Sequence, residues 1–496
     1  MKSFGLATFF LCAFLAAAAQ ADTNAIAPRA MALQDCIQSA LQHNFDVQIQ
    51  RYNPQISLYN LNAAYGGFDP TFTFSGQHNY NTQPGGGFNQ FSTNAIPARI
   101  TEADSFNSSL GGTLPEGLQY SLSGNIADTT SSANPESTSG SIGINLTQPL
   151  LKNFWIDDTR LTIRVAKISL KNSEQGLRGQ IITSVTAVAN AYYELIYAQQ
   201  NVQVQQEALN LAQTQLDQDN QRMQIGTLAQ LSVQQDEAQV AQNQANLITA
   251  QSTLETDQNT LKNLITDDYV KWHDTDVQPT ETLAAPVQIF DLQDSWSKGM
   301  TERPDLLQAR LNVEQEGIEL KFYRNQLFPT LDLIGTYGYN GASTNYSGTV
   351  DQFGGRNNPF YSYGAQLSFP LSSVGPLNQF KSTKATLQQV VLQLKQFEQN
   401  VMVEIDNAVK QAQSAYQSVD ATKQARIYAE AALDAEQKTY AVGKATTFDV
   451  LQLQNNLTTA KSNEIRALAN YNEALANLNA QEGSTLEKNN INLEAK

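Results

Sequence analysis

The chain has 496 residues, well beyond the roughly 250–300 at which a single hydrophobic core usually stops growing, so the sequence predicts several domains or one elongated body. Its net charge of −16 and isoelectric point near 4.7 argue against a nucleic-acid partner, because binding phosphates requires clustered lysine and arginine. With 41% hydrophobic residues the chain has enough apolar material to exclude wholesale disorder. An acidic surface or lumen would admit cations and repel anions.

The first 21 residues have the pattern of a removable secretory signal. An apolar run follows Lys2, and Ala19 and Ala21 form a small-x-small cleavage pattern before Asp22. Cleavage there would leave Cys36 as the one cysteine of the mature chain, so no intramolecular disulfide is expected. No later stretch reaches the ~18 apolar residues of a membrane-spanning helix. A mature chain that enters a membrane must therefore do so as a β-barrel.

After a predicted helix over 33–66, the chain enters stretches of about ten residues that alternate apolar and polar side chains. Between Thr71 and Tyr80 the aromatic residues Phe72 and Phe74 occupy even positions, and polar side chains occupy the odd ones. Such strands are typical of an outer-membrane barrel and also of a soluble sandwich, and the alternation alone does not distinguish the two. The alternation recurs around Ile142, Ile144 and Leu146, around Leu331, Leu333, Tyr337 and Tyr339, and around Tyr361, Tyr363, Leu367 and Phe369.

The first half of the chain contains an additional predicted hairpin. Its strands, Phe106–Leu114 and Leu118–Ile126, keep the alternation and are joined by a turn at Pro115-Glu116-Gly117. The sequence leaves open whether this hairpin joins the other strands. In either case four or six strands are too few to close a barrel, which needs about eight, so association with other chains would be obligatory in lipid.

Long helices account for the length of the chain. Ile181, Val188 and every seventh residue onward to Met223 are apolar, and a strict heptad repeat predicts a packed coiled coil. A helix from Asp157 to Met223 would be on the order of 100 Å long at ~1.5 Å per residue. A second helix of similar length is predicted from Pro376 to Ala441.

Four shorter predicted helices combine in pairs to the length of one long helix. We expect Ala229–Ile265 to stack on Asp294–Asn325, and Thr447–Gln481 to stack on Leu33–Gly66. Prolines interrupt the heptads between residues 266 and 293, which predicts a junction at mid-height.

An internal duplication organises the chain. Asp46 and Arg51 recur as Asp305 and Arg310 at an offset of 259, and Gly226 recurs as Gly443 at an offset of 217. Each half therefore runs in the order helix, strands, long helix, glycine turn, helix. The predicted divisions are a signal peptide (1–21), a first structural repeat (22–265), an equatorial junction (266–293), a second repeat (294–482) and a C-terminal tail (483–496).

The sequence offers no pattern for catalysis, a cofactor or a resident metal. His43, His78 and His273 share no metal-ligand spacing. A G-x-S-x-G nucleophile motif is missing, and Gly443-Lys444 lacks the upstream glycine of a phosphate-binding loop. We therefore expect no catalytic, cofactor-binding or metal-binding residues, and a protein that is not an enzyme.

Three segments carry a resemblance to a known family, and it extends over essentially the whole mature chain. They resemble the TolC-type outer-membrane factors. The resemblance implies a mainly α-helical fold with a membrane β-barrel, in which three protomers share one barrel and continue as a coiled-coil α-barrel across the periplasm. The segments are Arg303-Pro304-Asp305-Leu306, Leu327-x-Pro329-Thr330-Leu331 and Tyr440-Ala441-Val442-Gly443-Lys444-Ala445-Thr446-Thr447-Phe448-Asp449-Val450-Leu451.

The function implied by this resemblance is that of a passive exit duct in the outer membrane of a Gram-negative bacterium. The duct would serve a tripartite efflux pump or a type I secretion system. Its implied partners are two further copies of the chain, a periplasmic adaptor protein, an inner-membrane pump and outer-membrane lipid. The alternative is a periplasmic coiled-coil adaptor or structural protein that does not insert in the membrane, which a soluble sandwich would favour.

The resemblance also assigns candidate residues near the two glycine turns. Acidic residues after the second turn line the entrance in this family; Asp449 matches the first such position, whereas Gln452 replaces the second. Tyr440 matches the family's gate tyrosine. Ala445 stands where the family has a basic residue, and Ser232 stands where the first tip commonly has an acid.

The turns themselves are the family's docking surface for the periplasmic adaptor. Gly226, Gly443 and Lys444 are the candidate docking residues. Independently of the family, each glycine lies between two predicted helices, which predicts a left-handed helix cap.

Overall fold

The computed structural model describes residues 29–86, 97–132 and 134–491. The predicted signal peptide, residues 1–21, lies outside the described residues, and so does the end of the predicted tail from residue 492.

Two very long helices dominate the fold. They span 67 and 68 residues, on the order of 100 Å each, and confirm the two long helices predicted from the sequence. None of the helices in the described ranges combines the length and the apolarity needed to cross a membrane. The helices are α1 (Leu33–His43), α2 (Phe45–Tyr65), α3 (Asp158–Gln224), α4 (Gln230–Ile265), α5 (Tyr269–Trp272), α6 (Leu292–Glu302), α7 (Pro304–Asn325), α8 (Tyr346–Gly355), α9 (Val374–Ala441), α10 (Thr447–Glu482) and α11 (Thr485–Lys488).

Six strands form one antiparallel sheet in the order β2-β3-β4-β5-β7-β8. The additional hairpin, β3 and β4, lies within this sheet and pairs on both sides, so the sheet has six strands and not four in the described part of the chain. A short parallel pair, β1 with β6, lies apart from it. The strands are β1 (Arg29–Met31), β2 (Thr71–Gln83), β3 (Arg99–Thr113), β4 (Gln119–Ser131), β5 (Asn134–Pro149), β6 (Val277–Pro279), β7 (Thr330–Ser343) and β8 (Pro359–Ser368).

Over the half of the sheet nearer the long helices, the register sorts the strand residues into one mostly apolar and one mostly polar face. Phe72, Leu110, Leu122, Ile144, Tyr337 and Tyr361 are neighbours in one row of the apolar face, and the opposite face carries Thr73, Ser109, Ser123, Gly143, Gly338 and Phe360. No second sheet covers the apolar face in the described part of the chain. A soluble sandwich would bury that face, so the sheet favours the membrane interpretation.

Helix α8, which the sequence pattern did not predict, lies on the apolar face at the end of the sheet far from the long helices. Its Thr349 is buried and donates a hydrogen bond to the carbonyl of Thr138 at 3.2 Å. Gly341 lets α8 approach closely, because a side chain there would meet the Thr349 carbonyl and the Phe353 ring. Tyr346 completes the contact, edge to face against Phe106 at 6.3 Å.

Two predicted helices are each broken in the structure. The segment predicted as continuous over 33–66 breaks at Asn44, whose side chain accepts hydrogen bonds from the amides of Asp46 and Val47 and so begins a new helix. The segment predicted over 294–325 breaks before Pro304, because proline has no amide proton and its ring disfavours a helical residue before it.

The stacking of the shorter helices differs from the prediction. The Asn44 side chain donates to the Leu264 carbonyl at the end of α4, at 3.0 Å, so α4 stacks on α1 and α2. Arg303 donates to Gln481 near the end of α10 at 2.9 Å, so α10 stacks on α6 and α7. Each stack thus stays within its own half of the chain. All four pieces have similar lengths, and helix length therefore could not distinguish the two pairings.

The duplication is visible in side-chain contacts. Arg51 donates to the Leu41 carbonyl at 2.8 Å, and Arg310 donates to the Met300 carbonyl at 2.9 Å. Both members of the second pair lie 259 positions after those of the first. In each half, an arginine on the helix next to the sheet thus caps the short helix that precedes it.

The main core lies at mid-height, where α1, α3 and α4 meet β1 and β6. Tyr192 and Leu195 of α3 are fully buried there with Ile265 of α4. The Tyr192 hydroxyl donates to the Met31 carbonyl at 3.1 Å, which ties the small parallel sheet to the long helix. Further along α3, heptad residues such as Leu216 are only partly buried in one chain.

Candidate functional site at the helix tips

Two glycine turns end the long helices at the pole opposite the sheet. Gly226 and Gly443 have φ values of +76° and +74°, which confirms the predicted left-handed caps. In the first turn the Gly226 amide donates to the Met223 carbonyl and the Thr227 amide to that of Arg222, both at 2.9 Å. The second turn repeats this pair of bonds. Each long helix therefore ends in a Schellman motif that sends the chain back as α4 or α10.

The two tips expose matching apolar side chains. Ile225 and Val442 directly precede the glycines and are 75% and 70% exposed. Leu231 and Phe448 follow at equivalent positions and are 66% and 59% exposed. Both pairs are related by the offset of 217, so the duplication has placed the same apolar pattern on each tip. We call these four residues the tip patch; the predicted docking residue Lys444 is exposed beside it.

Asp449 acts locally as a helix cap. Its carboxylate accepts hydrogen bonds from the Thr446 hydroxyl at 2.6 Å and the Thr446 amide at 3.2 Å, while its own amide donates to the Thr446 hydroxyl. These bonds lower the pKa of Asp449 from its ordinary value. Asp449 is exposed, as is Gln452 one turn later. Within a single chain, both side chains are therefore accessible to solvent or to other copies of the chain.

Tyr440 is buried, unlike the other two predicted gate residues. Its hydroxyl donates to Asp219 Oδ2 at 2.6 Å and lies 3.0 Å from the Thr447 hydroxyl. The Arg222 guanidinium lies over its ring at 4.6 Å. Burial, followed by the hydrogen bond to Asp219, raises the pKa of Tyr440. The structure therefore holds Tyr440 against α3 and the first turn of α10, and it buries Tyr440 whereas Asp449 and Gln452 are exposed.

Two aspartates beneath the tips were missed by the sequence analysis. Asp219 of α3 and Asp236 of α4 are both 0% exposed. Burial, together with the hydrogen bond and charge of Asp219, raises the pKa of Asp236 from 3.8 to about 7. The sequence did carry a signal, because Asp219 falls on the same heptad seam as Ala198 and Ala212. A carboxyl group in a seam that carries alanines at other heptad positions indicates a charge on a packed helix face.

Comparison with known proteins agrees with the fold. The chain matches the family described as outer membrane efflux protein over residues 36–266 and 297–484. It is 27% identical to outer membrane protein TolC of Escherichia coli over 387 residues, 74% of each chain. It is 26% identical to TolC of Salmonella enteritidis over 295 residues, 58% of each chain. The crystal structure of VceC from Vibrio cholerae superposes with a TM-score of 0.65 at 18% identity, covering 91% of this chain and 96% of that one.

The architecture is that of a TolC-type factor, with long helices forming an α-barrel wall and a strand domain at one end. The chain belongs to the outer membrane efflux protein family. It is an outer-membrane efflux channel of a Gram-negative bacterium, as the sequence predicted.

Proposed function

We propose that three copies of this chain assemble into a passive exit duct that carries substrate from a periplasmic adaptor and inner-membrane pump to the exterior. The observation that carries the proposal is that both lateral edges of the described chain are unpartnered, in the sheet and in the helices. The number three follows from the family resemblance. Residues 22–265 and 294–482 would supply the two repeats of each protomer, joined at 266–293.

The sheet edges fit one another. Among the described residues β2 pairs only with β3, and β8 only with β7, so each has a row of backbone amides and carbonyls without a described partner. An open edge in lipid would leave these groups unsatisfied. β2 runs away from the helices and β8 returns towards them, so β8 of one copy can continue the antiparallel sheet beside β2 of the next. Closure by copies of the same chain satisfies both edges.

Helix α2, which lies next to the sheet, also exposes an apolar surface that a partner would cover. α2 packs against α3 through buried Val47 and Leu61. The opposite side of α2 exposes an apolar stripe spaced alternately four and three residues apart. That spacing is typical of a coiled-coil seam, so we assign the stripe to contact with the next protomer. The α2 stripe consists of Phe45, Ile49, Tyr52, Ile56 and Tyr59.

With six strands from each of three copies the proposed barrel has eighteen strands. Barrels of 16–18 strands leave an aqueous channel. The apolar face of the sheet would meet lipid and the polar face would line the pore, and α8 would then lie on the lipid side near the outer end of the barrel. The hairpin β3–β4 therefore widens the pore relative to a four-strand chain.

The proposed entrance lies at the helix tips. The exposed apolar tip patch, with Gly226, Gly443 and Lys444 beside it, supports docking of a periplasmic adaptor, because matching exposed apolar groups at equivalent positions favour a repeated partner surface. We assign gating to Asp449, Gln452 and Tyr440. Asp449 and Gln452 are exposed on one chain, and Tyr440 links α9 to α3.

Asp449→Ala is expected to raise single-channel conductance in a planar bilayer and to weaken block by multivalent cations. The reason is that a ring of three exposed carboxylates narrows the entrance and attracts cations. Asp434→Ala, which removes an exposed carboxylate of α9 outside the tip motif, serves as control. If conductance and cation block are the same in Asp449→Ala as in the wild type, Asp449 does not lie at the constriction.

Fractionation tests the proposal as a whole. We expect the protein in the outer membrane, extracted only by detergent, running as a trimer on gels without heating and forming channels in planar bilayers. Release by a salt wash as a monomer would overturn the proposal in favour of a periplasmic adaptor or structural protein.

A further inference from the structure

Two fully buried carboxyl groups lie side by side beneath the tips, where four helices meet. Asp219 Oδ2 accepts hydrogen bonds from the Tyr440 hydroxyl at 2.6 Å and from Gln215 Nε2 at 2.9 Å. Within the described residues, Asp219 Oδ1 and both oxygens of Asp236 have no donor from another residue within hydrogen-bond distance, so a hydrogen bond between the two carboxyl groups requires a proton on one of them. Three orphaned carboxyl oxygens in a buried site would be strongly destabilising if both groups carried charge.

The surrounding charges balance only one of the two carboxylates. α3 contributes Arg222, whose guanidinium lies 3.7 Å from Asp219 Oδ1. α9 and α10 contribute only the neutral hydroxyls of Tyr440 and Thr447. Asp236 of α4 therefore faces one negative group and no cation of its own. Like charges in a dry site are avoided when one carboxyl group keeps its proton.

We propose that Asp219 and Asp236 share one proton, and that this proton locks the α3–α4 tip to the α9–α10 tip in the closed entrance. A protonated Asp236 donates to Asp219, Asp219 accepts from Tyr440, and the chain of hydrogen bonds joins α4, α3 and α9. Loss of the proton leaves two adjacent buried carboxylates, whose repulsion favours separation of the helices and entry of water. The inference rests on the proposed function of the tips as the entrance of a channel.

A shared proton fits this site better than a bound metal ion. Calcium takes six to eight oxygen ligands, and magnesium requires six in an octahedron. Here two side chains supply three free oxygens, and the described residues contain no group of three or more acidic, histidine or cysteine side chains suited to a metal. One proton satisfies the pair without further ligands.

The direction of the pH effect follows from the two states of the lock. In the closed tip the pKa of Asp236 is about 7, whereas in an open, hydrated tip it returns towards 3.8. The closed state thus holds a proton that the open state releases. Stabilisation of the closed tip is complete below about pH 4, falls as the pH rises to about 7, and stays low above that. The pKa of Asp449 is lowered from its ordinary value, so Asp449 titrates below this window.

Planar-bilayer recordings across this window test the lock. With pH varied on the tip side, wild-type open probability is expected to rise between about pH 4 and 7, by up to about tenfold per unit, and then to level off. Asp236→Asn is expected to stay closed throughout, because its amide donates the same hydrogen bond without a charge. Asp219→Asn is a second variant with the same expected loss of pH dependence. Asp434→Asn, which neutralises an exposed carboxylate of α9 outside the tip motif, should keep the wild-type step.

Infrared titration of the purified protein reads the proton directly. Burial and the charge of Glu194 raise the pKa of Glu473 to about 7 as well, so the reading is the difference between wild type and Asp236→Asn. A protonated-carboxyl C=O component that vanishes near pH 7 should be present in the wild type and lost in Asp236→Asn, while the Glu473 component stays in both.

An unchanged conductance step in both aspartate variants, or no loss of C=O intensity in Asp236→Asn, overturns the proposal. The proposal is also overturned if added calcium closes the channel, a chelator reopens it and pH has no effect, because that result would indicate a bound cation. If the protein forms no channel at any pH, the proposed function is refuted. The infrared titration then still tests whether Asp219 and Asp236 share a proton, because it does not depend on channel formation.

Discussion

Replacing Ile49 by glutamate is expected to leave the protein monomeric while the individual chain still folds. Ile49 lies within the α2 stripe and is 64% exposed in one chain, so the substitution removes little packing from the folded protomer. Exposed substitutions of this kind usually change stability by less than about 0.5 kcal/mol. In the trimer the same carboxylate would be buried against the next copy without a partner, at a cost of several kcal/mol at each interface. Because the trimer contains three such interfaces, the summed cost should abolish assembly.

The measurement is the molar mass of the detergent-extracted protein by light scattering, together with the heat resistance of the oligomer on gels. Gln55→Glu is the matched control, because Gln55 is also exposed on α2 but lies about a quarter turn away from the stripe. The control should remain trimeric. A trimer of normal heat resistance formed by Ile49→Glu would show that the α2 stripe is not the contact between protomers.

The periodic parts of this fold could be predicted from the sequence, because many residues at regular spacing indicate the same secondary structure. The heptads of α3 and the alternation of β2 are such cases, and the structure confirms both elements. Breaks within a helix depend on single residues. The sequence did not predict the break at Asn44, because the apolar pattern continues through it. The break depends on the Asn44 side chain folding back to cap the next helix, and only the structure shows that conformation.

The tip site was predictable only where its chemistry is local. The glycine turns need nothing beyond their own backbone, and both took the predicted left-handed conformation. The Asp219–Asp236 pair joins α3 and α4 across a turn, and Tyr440 reaches it from more than two hundred residues away. Such a cluster depends on how four helices pack, which a single sequence does not reveal. The resemblance directed attention to Asp449, whereas the most buried charges lie one layer deeper.

The uncharged polar residues, glutamine and asparagine, have a structural role in the proposed duct. Glutamine and asparagine pair along and between the tip-side helices, as Gln239 does with Asn455 at 2.8 Å. Amide pairs of this kind hold helices in register and carry no net charge. A hydrated, neutral wall binds few solutes tightly, which suits a conduit.

Replacing Gly443 by glutamate is expected to abolish export while leaving trimers in the outer membrane. A side chain added at Gly443 would meet no atom within 4 Å, so it projects into open space beside Val442 and Phe448 of the tip patch. The left-handed backbone costs a non-glycine residue only about 1–2 kcal/mol. A charged side chain in the middle of an apolar docking surface would be desolvated without a partner when the adaptor binds, and docking should fail.

Export of a fluorescent dye by cells that carry the adaptor and pump measures the loss, and co-purification of the adaptor measures docking directly. Gly443→Asn is the matched control, because asparagine tolerates the left-handed conformation and adds no charge. It should retain most of the export activity, which separates a docking defect from backbone strain. Gly226→Glu at the equivalent first turn should behave like Gly443→Glu, since both tips expose the same apolar pattern. Undiminished export by Gly443→Glu would mean that the adaptor docks elsewhere, for instance on the sides of the helical barrel.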